Sequence, residues 1–113
     1  MVSSTYTPSA TTHDFFNDVT NEVSGTNYTA GGATLGSPTL TESSGTVTFD
    51  AADVTWAQNA AGFADARYAV IYKSTGVAST SPLIGYIDFA SDKGNVSGDL
   101  TLVWGASGIF NVN

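Results

Sequence analysis

His13 is the chain's single histidine and stands beside Asp14, a pairing that a serine could complete as a catalytic triad. No Gly-x-Ser-x-Gly elbow exists to hold such a nucleophile, and a His-Asp pair at a helix start is ordinary capping chemistry. Asp50 and Asp53 are the nearest carboxylate pair, and two carboxylates can cleave a glycosidic bond when one is buried and its pKa raised. Flanking a turn-like Ala51-Ala52 between two strands, they are expected instead to cap and solvate it. A hard cation wants about six to eight oxygens, and the segment from Asp50 to Asp53 is too short of acceptors; Asp92, Asn95 and Asp99 around a Gly-rich turn form a second candidate, against which a solvated hairpin loop is favoured. No His/Glu zinc spacing and no phosphate-cradling glycine loop with its lysine occurs. Catalytic residues, metal ligands and cofactor-binding residues are therefore not expected. Tyr68, Tyr72, Tyr86, Trp56 and Trp104 could stack on sugar rings, but most fall in segments expected to be central strands, where burial is their ordinary fate.

Charge narrows the partners. Ten Asp plus Glu against three Lys plus Arg give a formal charge of -7, and Arg67, Lys73 and Lys93 are too few and too scattered to follow a phosphate backbone, so nucleic acid is not expected. Charged residues make up 12% of the chain, about half the ordinary share. Ser, Thr, Gly, Asn and Ala replace them, a mixture that suits short strands and tight turns. Cysteine is absent, which excludes disulfides and thiolate chemistry. No apolar run approaches the ~20 residues of a bilayer span, and Met1-Val2-Ser3-Ser4-Thr5 lacks the basic and apolar regions of a signal peptide. The chain reads as soluble, without a membrane partner. Two acceptor sequons, Asn27-Tyr28-Thr29 and Asn95-Val96-Ser97, are what chance provides in so Asn/Ser/Thr-rich a sequence.

The elements that must position these residues form one β-rich domain over residues 1–113, with residues 1–11 as an extended lead-in. One short N-terminal α-helix is expected next, with Thr12 as its N-cap. Phe15, Phe16, Val19 and Val23 lie on one face, and Gly25 stops the run. Its aromatic pair should plug a sheet. Residues 25–38 read as a long loop. Alternation then predicts strands over residues 46–50 and 53–56, a connection over residues 59–65 with Phe63 tucked beneath it, and a further strand over residues 98–104. Residues 67–73 are apolar or aromatic at every interior position, as in a central strand covered on both faces. They should form an antiparallel hairpin with residues 83–89, and Ile109, Phe110 and Val112 close the chain. Five or six strands separated by turns predict an antiparallel β-sandwich or a partly open β-barrel.

Several segments read in order carry a resemblance: Thr12-His13-Asp14-Phe15-Phe16 with Asp18-Val19, then Tyr28-Thr29-Ala30-Gly31-Gly32, then Asp50-Ala51-Ala52-Asp53-Val54-Thr55-Trp56. After them come Ala66-Arg67-Tyr68-Ala69-Val70-Ile71-Tyr72-Lys73, Ser81-Pro82-Leu83-Ile84-Gly85-Tyr86-Ile87-Asp88-Phe89, and a closing Trp104 with Gly108-Ile109. Together, from Tyr6 onward, they resemble a family of small virion structural proteins of tailed bacteriophages and prophages. The resemblance implies a non-enzymatic particle component located on the capsid surface, a head decoration or cement protein. Its implied partner is the major capsid protein, and it would act as a homo-oligomer or in many copies. A tail or baseplate subunit is the nearest alternative, and a carbohydrate-binding adhesion module the next.

The family resembled carries an apolar β segment ahead of the stretch matching Ser4-Thr5-Tyr6-Thr7-Pro8, close to where this sequence starts. The expectation is an unpaired strand edge, at residues 67–73 if the segment was their neighbour. Residues 1–6, a second copy or a capsid subunit would complete it. The partner-binding residues expected are accordingly Met1, Val2, Ser3, Ser4, Thr5 and Tyr6 of the lead-in, with Tyr28 and Thr29 of the loop.

Overall fold

Ser44 and Gly45 sit at φ +53° and +82°, the pair of left-handed residues that lets a two-residue turn follow the right-handed twist of its strands. In the computed structural model, which describes residues 1–112, this turn joins the first two of seven strands: β1 (Thr39–Ser43), β2 (Thr46–Asp50), β3 (Val54–Trp56), β4 (Ala66–Tyr72), β5 (Leu83–Lys93), β6 (Leu100–Leu102) and β7 (Phe110–Val112). The chain is mostly β, as expected, and every strand pairing is antiparallel. The strands divide among three small sheets, ordered β1-β2-β7, β3-β6 and β4-β5. β2 and β3 thus belong to different sheets, so Asp50 and Asp53 flank a crossing between sheets rather than a hairpin turn. The hairpin of residues 67–73 with residues 83–89 forms as expected, with Ala69 opposite Ile87 and Val70 opposite Tyr86. The β1 strand, which alternation did not single out, runs entirely on the surface. The expected strand over residues 98–104 shortens to β6.

The expected N-terminal α-helix does not form. Only a single 3-10 turn appears, Phe16–Asp18, between extended Phe15 and extended Val19. Tertiary pairing overrides the helical periodicity here. Leu83 donates its N–H to the Asp14 carbonyl at 2.9 Å and Phe16 donates to the Ser81 carbonyl at 2.9 Å, which holds residues 14–16 extended along the start of β5. Asn21, at φ +58°, turns the chain where the helix would have continued, and the Val23 N–H goes to the Met1 carbonyl at 3.1 Å. Thr12 caps nothing; its hydroxyl donates to Ser9 Oγ at 2.7 Å. The stop expected at Gly25 has another cause: a Cβ there would collide with the Gly62 backbone.

The core is small. Val23, Trp56, Phe63 and Ala66 form its buried centre, with Met1, Tyr28, Val54, Phe89, Leu100 and Leu102 packed around them. Phe63 is 2% exposed and lies beneath the 59–65 connection as expected. β4 is not the doubly covered central strand that its composition suggested. It has one strand neighbour, β5, and Tyr68, Val70, Ile71 and Tyr72 remain partly exposed.

Candidate functional site

The residues of greatest chemical interest in the sequence are satisfied locally. His13 shares a 2.9 Å hydrogen bond between its Nδ1 and the Tyr6 hydroxyl, and the two rings stack at 5.4 Å. An Asp53 oxygen accepts the Trp104 N–H at 2.9 Å and an Asp50 oxygen accepts the Ala51 N–H at 2.9 Å. Asp99 accepts the Gln58 N–H at 2.8 Å. Asn95, far from being a solvated loop residue, is fully buried and braces Phe63. Among the described residues no three His, Cys, Asp or Glu side chains gather where a metal ion could be held.

The lead-in behaves as a strand. Val2 donates its N–H to the Tyr68 carbonyl at 2.9 Å and its carbonyl accepts the N–H groups of Arg67 and Tyr68 at 2.9 and 3.1 Å. On the other side, Ser3 donates to the Asn21 carbonyl at 3.0 Å and Met1 accepts from Val23. Residues 1–3 therefore thread between β4 and residues 21–23, covering the first part of the outer edge of β4. Val2 and Tyr6 are 1% and 3% exposed, their side chains packed into this protein's own interior. Met1 and Ser3 are half-buried, whereas Ser4, Thr5 and Thr29 are exposed.

Tyr28 also turns inward. The Met1 ammonium donates to its hydroxyl, which in turn donates to Glu22 Oε1 at 2.8 Å, and the same carboxylate oxygen accepts the Gly31 N–H at 2.7 Å. Gly31 and Gly32 hold φ of +90° and +85°, conformations that glycine adopts without a Cβ penalty. The Gly31 carbonyl then accepts the Tyr72 hydroxyl at 2.9 Å. Burial holds the Met1 ammonium below its ordinary pKa, against the opposing pull of Glu22. Burial, followed by the hydrogen bond to Glu22, pushes the Tyr28 phenol far above its own. This chain of contacts fastens the 28–32 loop to the N-terminus and to the end of β4.

Between that loop and the outer edge of β4 lies a groove of about 680 Å³, within the size range of ligand sites. Its walls are chiefly apolar, from Phe49, Val54, Trp56, Val70, Leu102 and Trp104, with Phe16 stacked on Tyr72 at 4.3 Å and 8° on one side. No protein-family model, curated protein or solved structure gives a significant match to the chain.

The groove collects residues that the sequence reading did not join. Glu22 and Gly31 were given no role, and Val70 and Tyr72 were expected to be covered strand residues. The available signal was the strand edge itself, which the reading placed at residues 67–73 and which residues 1–3 cover only in part. Of the five aromatics considered for sugar stacking, Trp56 is buried as expected, but Tyr86 is 54% exposed, because β5 has no layer over that face.

Proposed function

We propose that the protein is a non-enzymatic structural component of a tailed-phage particle, a decoration subunit bound in many copies to the major capsid protein on the head shell. The observation that carries this reading is the open, chiefly apolar groove beside β4. A small domain with so limited a core gains by burying such a surface against a larger neighbour. Many modest contacts of this kind add up across a shell. The net charge of -7 keeps the free subunit soluble and suits a partner surface that is neutral or basic.

The test is particle biochemistry. The protein should copurify with heads in many copies, and shells stripped of it should fail at a lower temperature or a milder osmotic shock. A few copies per particle, on tails, would replace this reading with a tail or baseplate subunit. Shells equally robust with and without it would remove the stabilising role.

One observation favours a second reading. Tyr86 is exposed and meets Tyr68 edge to face at 6.0 Å, a pair that could receive a sugar ring. Saturable glycan binding lost in Tyr86→Ala would support adhesion; silence on a glycan array together with binding to empty shells would dismiss it.

A further inference from the structure

The β4-β5 hairpin is irregular at one end, and the irregularity builds a rigid polar pair beside exposed aromatics. Between the pairs Tyr68–Asp88 and Ala66–Lys93 the register breaks, and β5 carries the surplus residues as a bulge. Ala90 within it stands at φ +62°, a left-handed conformation that is costly for a residue with a Cβ. Asp88 closes the bulge. Its Oδ1 accepts the Ala90 N–H at 2.7 Å and the Arg67 Nε–H at 2.7 Å, and its Oδ2 accepts from Arg67 Nη2 at 3.3 Å. The Arg67 guanidinium also lies 5.7 Å from the centre of the Tyr68 ring. It is thus fixed between a carboxylate and an aromatic ring, with its Nη1 free of protein partners among the described residues. Bulges and strained residues of this kind re-aim side chains at functional sites.

Tyr86 precedes Asp88 by two residues on β5, so both side chains leave the same face of the sheet. Tyr68, opposite Asp88, leaves it with them. An exposed ring next to a fixed donor and acceptor matches a pyranose, whose C–H face stacks on an aromatic and whose adjacent hydroxyls both donate and accept. Charge decides against ionic ligands. Arg67 and Asp88 neutralise each other, and Asp92 with Lys93 further along β5 adds no net charge. Size decides against a protein partner: such an interface takes roughly 20–30 residues a side, whereas this patch is one tyrosine pair and one ion pair.

We propose that Tyr86, Tyr68, Arg67 and Asp88 form a binding site for a neutral hexopyranose unit of a glycan. One face of the sugar ring stacks on Tyr86, one hydroxyl donates to Asp88 Oδ2, and the adjacent hydroxyl accepts from Arg67 Nη1. The proposal rests on the adhesive reading and deepens it, naming the sugar class and the polar half of the site; it holds wherever on a particle the subunit sits.

The experiment titrates the full chain with the methyl glycosides of glucose, galactose and mannose, and NMR shifts report where each binds. At least one should shift Tyr68, Tyr86 and Asp88 saturably. Its tetra-O-methyl derivative keeps the ring but has no hydroxyl to donate, and should bind the unaltered protein about tenfold more weakly or worse, a result that does not depend on any variant folding. Tyr86→Ala should weaken binding about fivefold or more, and Asp88→Asn about fivefold through loss of the charged acceptor. An anionic methyl sialoside and a cationic methyl glucosaminide should bind no tighter than the neutral glycosides.

A tetra-O-methyl derivative bound as tightly as its parent, or binding unchanged in Asp88→Asn, would overturn the hydroxyl pairing and leave the adhesive reading standing. Saturable shifts confined to Phe16 and Trp104 in the groove would overturn the site, and a tenfold preference for the sialoside would overturn the neutral ligand. If none of the three glycosides binds while an array glycan does, and that binding is lost in Tyr86→Ala, the hexopyranose assignment fails and adhesion stands. Silence from glycosides and array together would sink both.

Discussion

Asn95 and Phe63 hold each other by two reciprocal hydrogen bonds: the Phe63 N–H donates to Asn95 Oδ1 at 3.0 Å, and the Asn95 N–H donates to the Phe63 carbonyl at 3.0 Å. The Asn95 side-chain amide also donates to the carbonyls of Ala57 and Thr26 at 2.8 and 3.2 Å. One buried side chain thus ties three loops around the core aromatic. Asn95→Ala leaves these groups without partners in a dry site and should cost about 2–4 kcal/mol, read from the urea midpoint. Asn95→Asp should do comparable damage at neutral pH, because a carboxylate cannot donate to either carbonyl.

The three aromatics near the N-terminal half should separate by burial. Phe63→Ala is expected to cost about 3–5 kcal/mol as a core truncation. Phe16 is half-buried against Tyr72, and Phe16→Ala should cost about 1–2 kcal/mol, part of it from the lost stacking. Phe15 is 40% exposed, and Phe15→Ala should stay under about 1 kcal/mol. Thermal or urea unfolding of the three variants checks the order, and a Phe15 cost equal to that of Phe63 would contradict the packing described.

Gly25 lies against the Gly62 backbone, with the Phe63 nitrogen 2.7 Å from where a Cβ would stand. Gly25→Ala must push two backbone segments apart and is expected to destabilise by about 2 kcal/mol or more. Gly45, with nothing within 4 Å of its Cβ position and φ +82°, should lose only about 1 kcal/mol on changing to Ala, the conformational penalty alone. Parallel urea curves would distinguish steric from conformational cost.

Stability should fall at both ends of the pH range, for different residues. Tyr28 has a folded pKa raised above 10.0, so its contribution is complete below pH 10 and is lost as pH rises beyond it. Tyr28→Phe should lose this alkaline slope. Asp18 has a lowered pKa because it accepts the N–H groups of Phe15 and Asp14, and Asp88 has one chiefly because Arg67 bonds to it. Their contributions are present above the ordinary value of 3.8 and fade as pH falls below it. Thermal unfolding across pH should show Asp18→Asn and Asp88→Asn flattening the acid limb, and an unchanged limb in both would place the acid sensitivity elsewhere.

The β class, the β4-β5 hairpin and buried Phe63 were legible because they rest on local pattern: apolar alternation, glycine at turns, and a large aromatic flanked by polar residues. The β1-β2 hairpin was missed although Ser44-Gly45 is a turn pair. The strand before it, Thr39 to Ser43, exposes every residue and so carries little burial pattern to read. The helix failed for the opposite reason. Phe15, Phe16, Val19 and Val23 do repeat at helical spacing, yet the Phe16 N–H donating to the Ser81 carbonyl and the Leu83 N–H donating to the Asp14 carbonyl, partners far off in sequence, hold residues 14–16 to the start of β5.

The sequence by itself determined that this would be an acidic, cysteine-free, turn-rich β chain. Composition and short-range periodicity act through local sterics and solvation, which need no knowledge of the rest of the fold. Only the tertiary structure decided that residues 1–3 lie along the outer edge of β4. Val2 reaches Tyr68 because Tyr28, Glu22 and Gly31 hold the N-terminus in place, and Val70 lines a groove walled by residues from five separate strands and the loops between them. Such a site is made by long-range contacts whose closure entropy is offset only when the whole chain packs, and no window of neighbouring residues contains it.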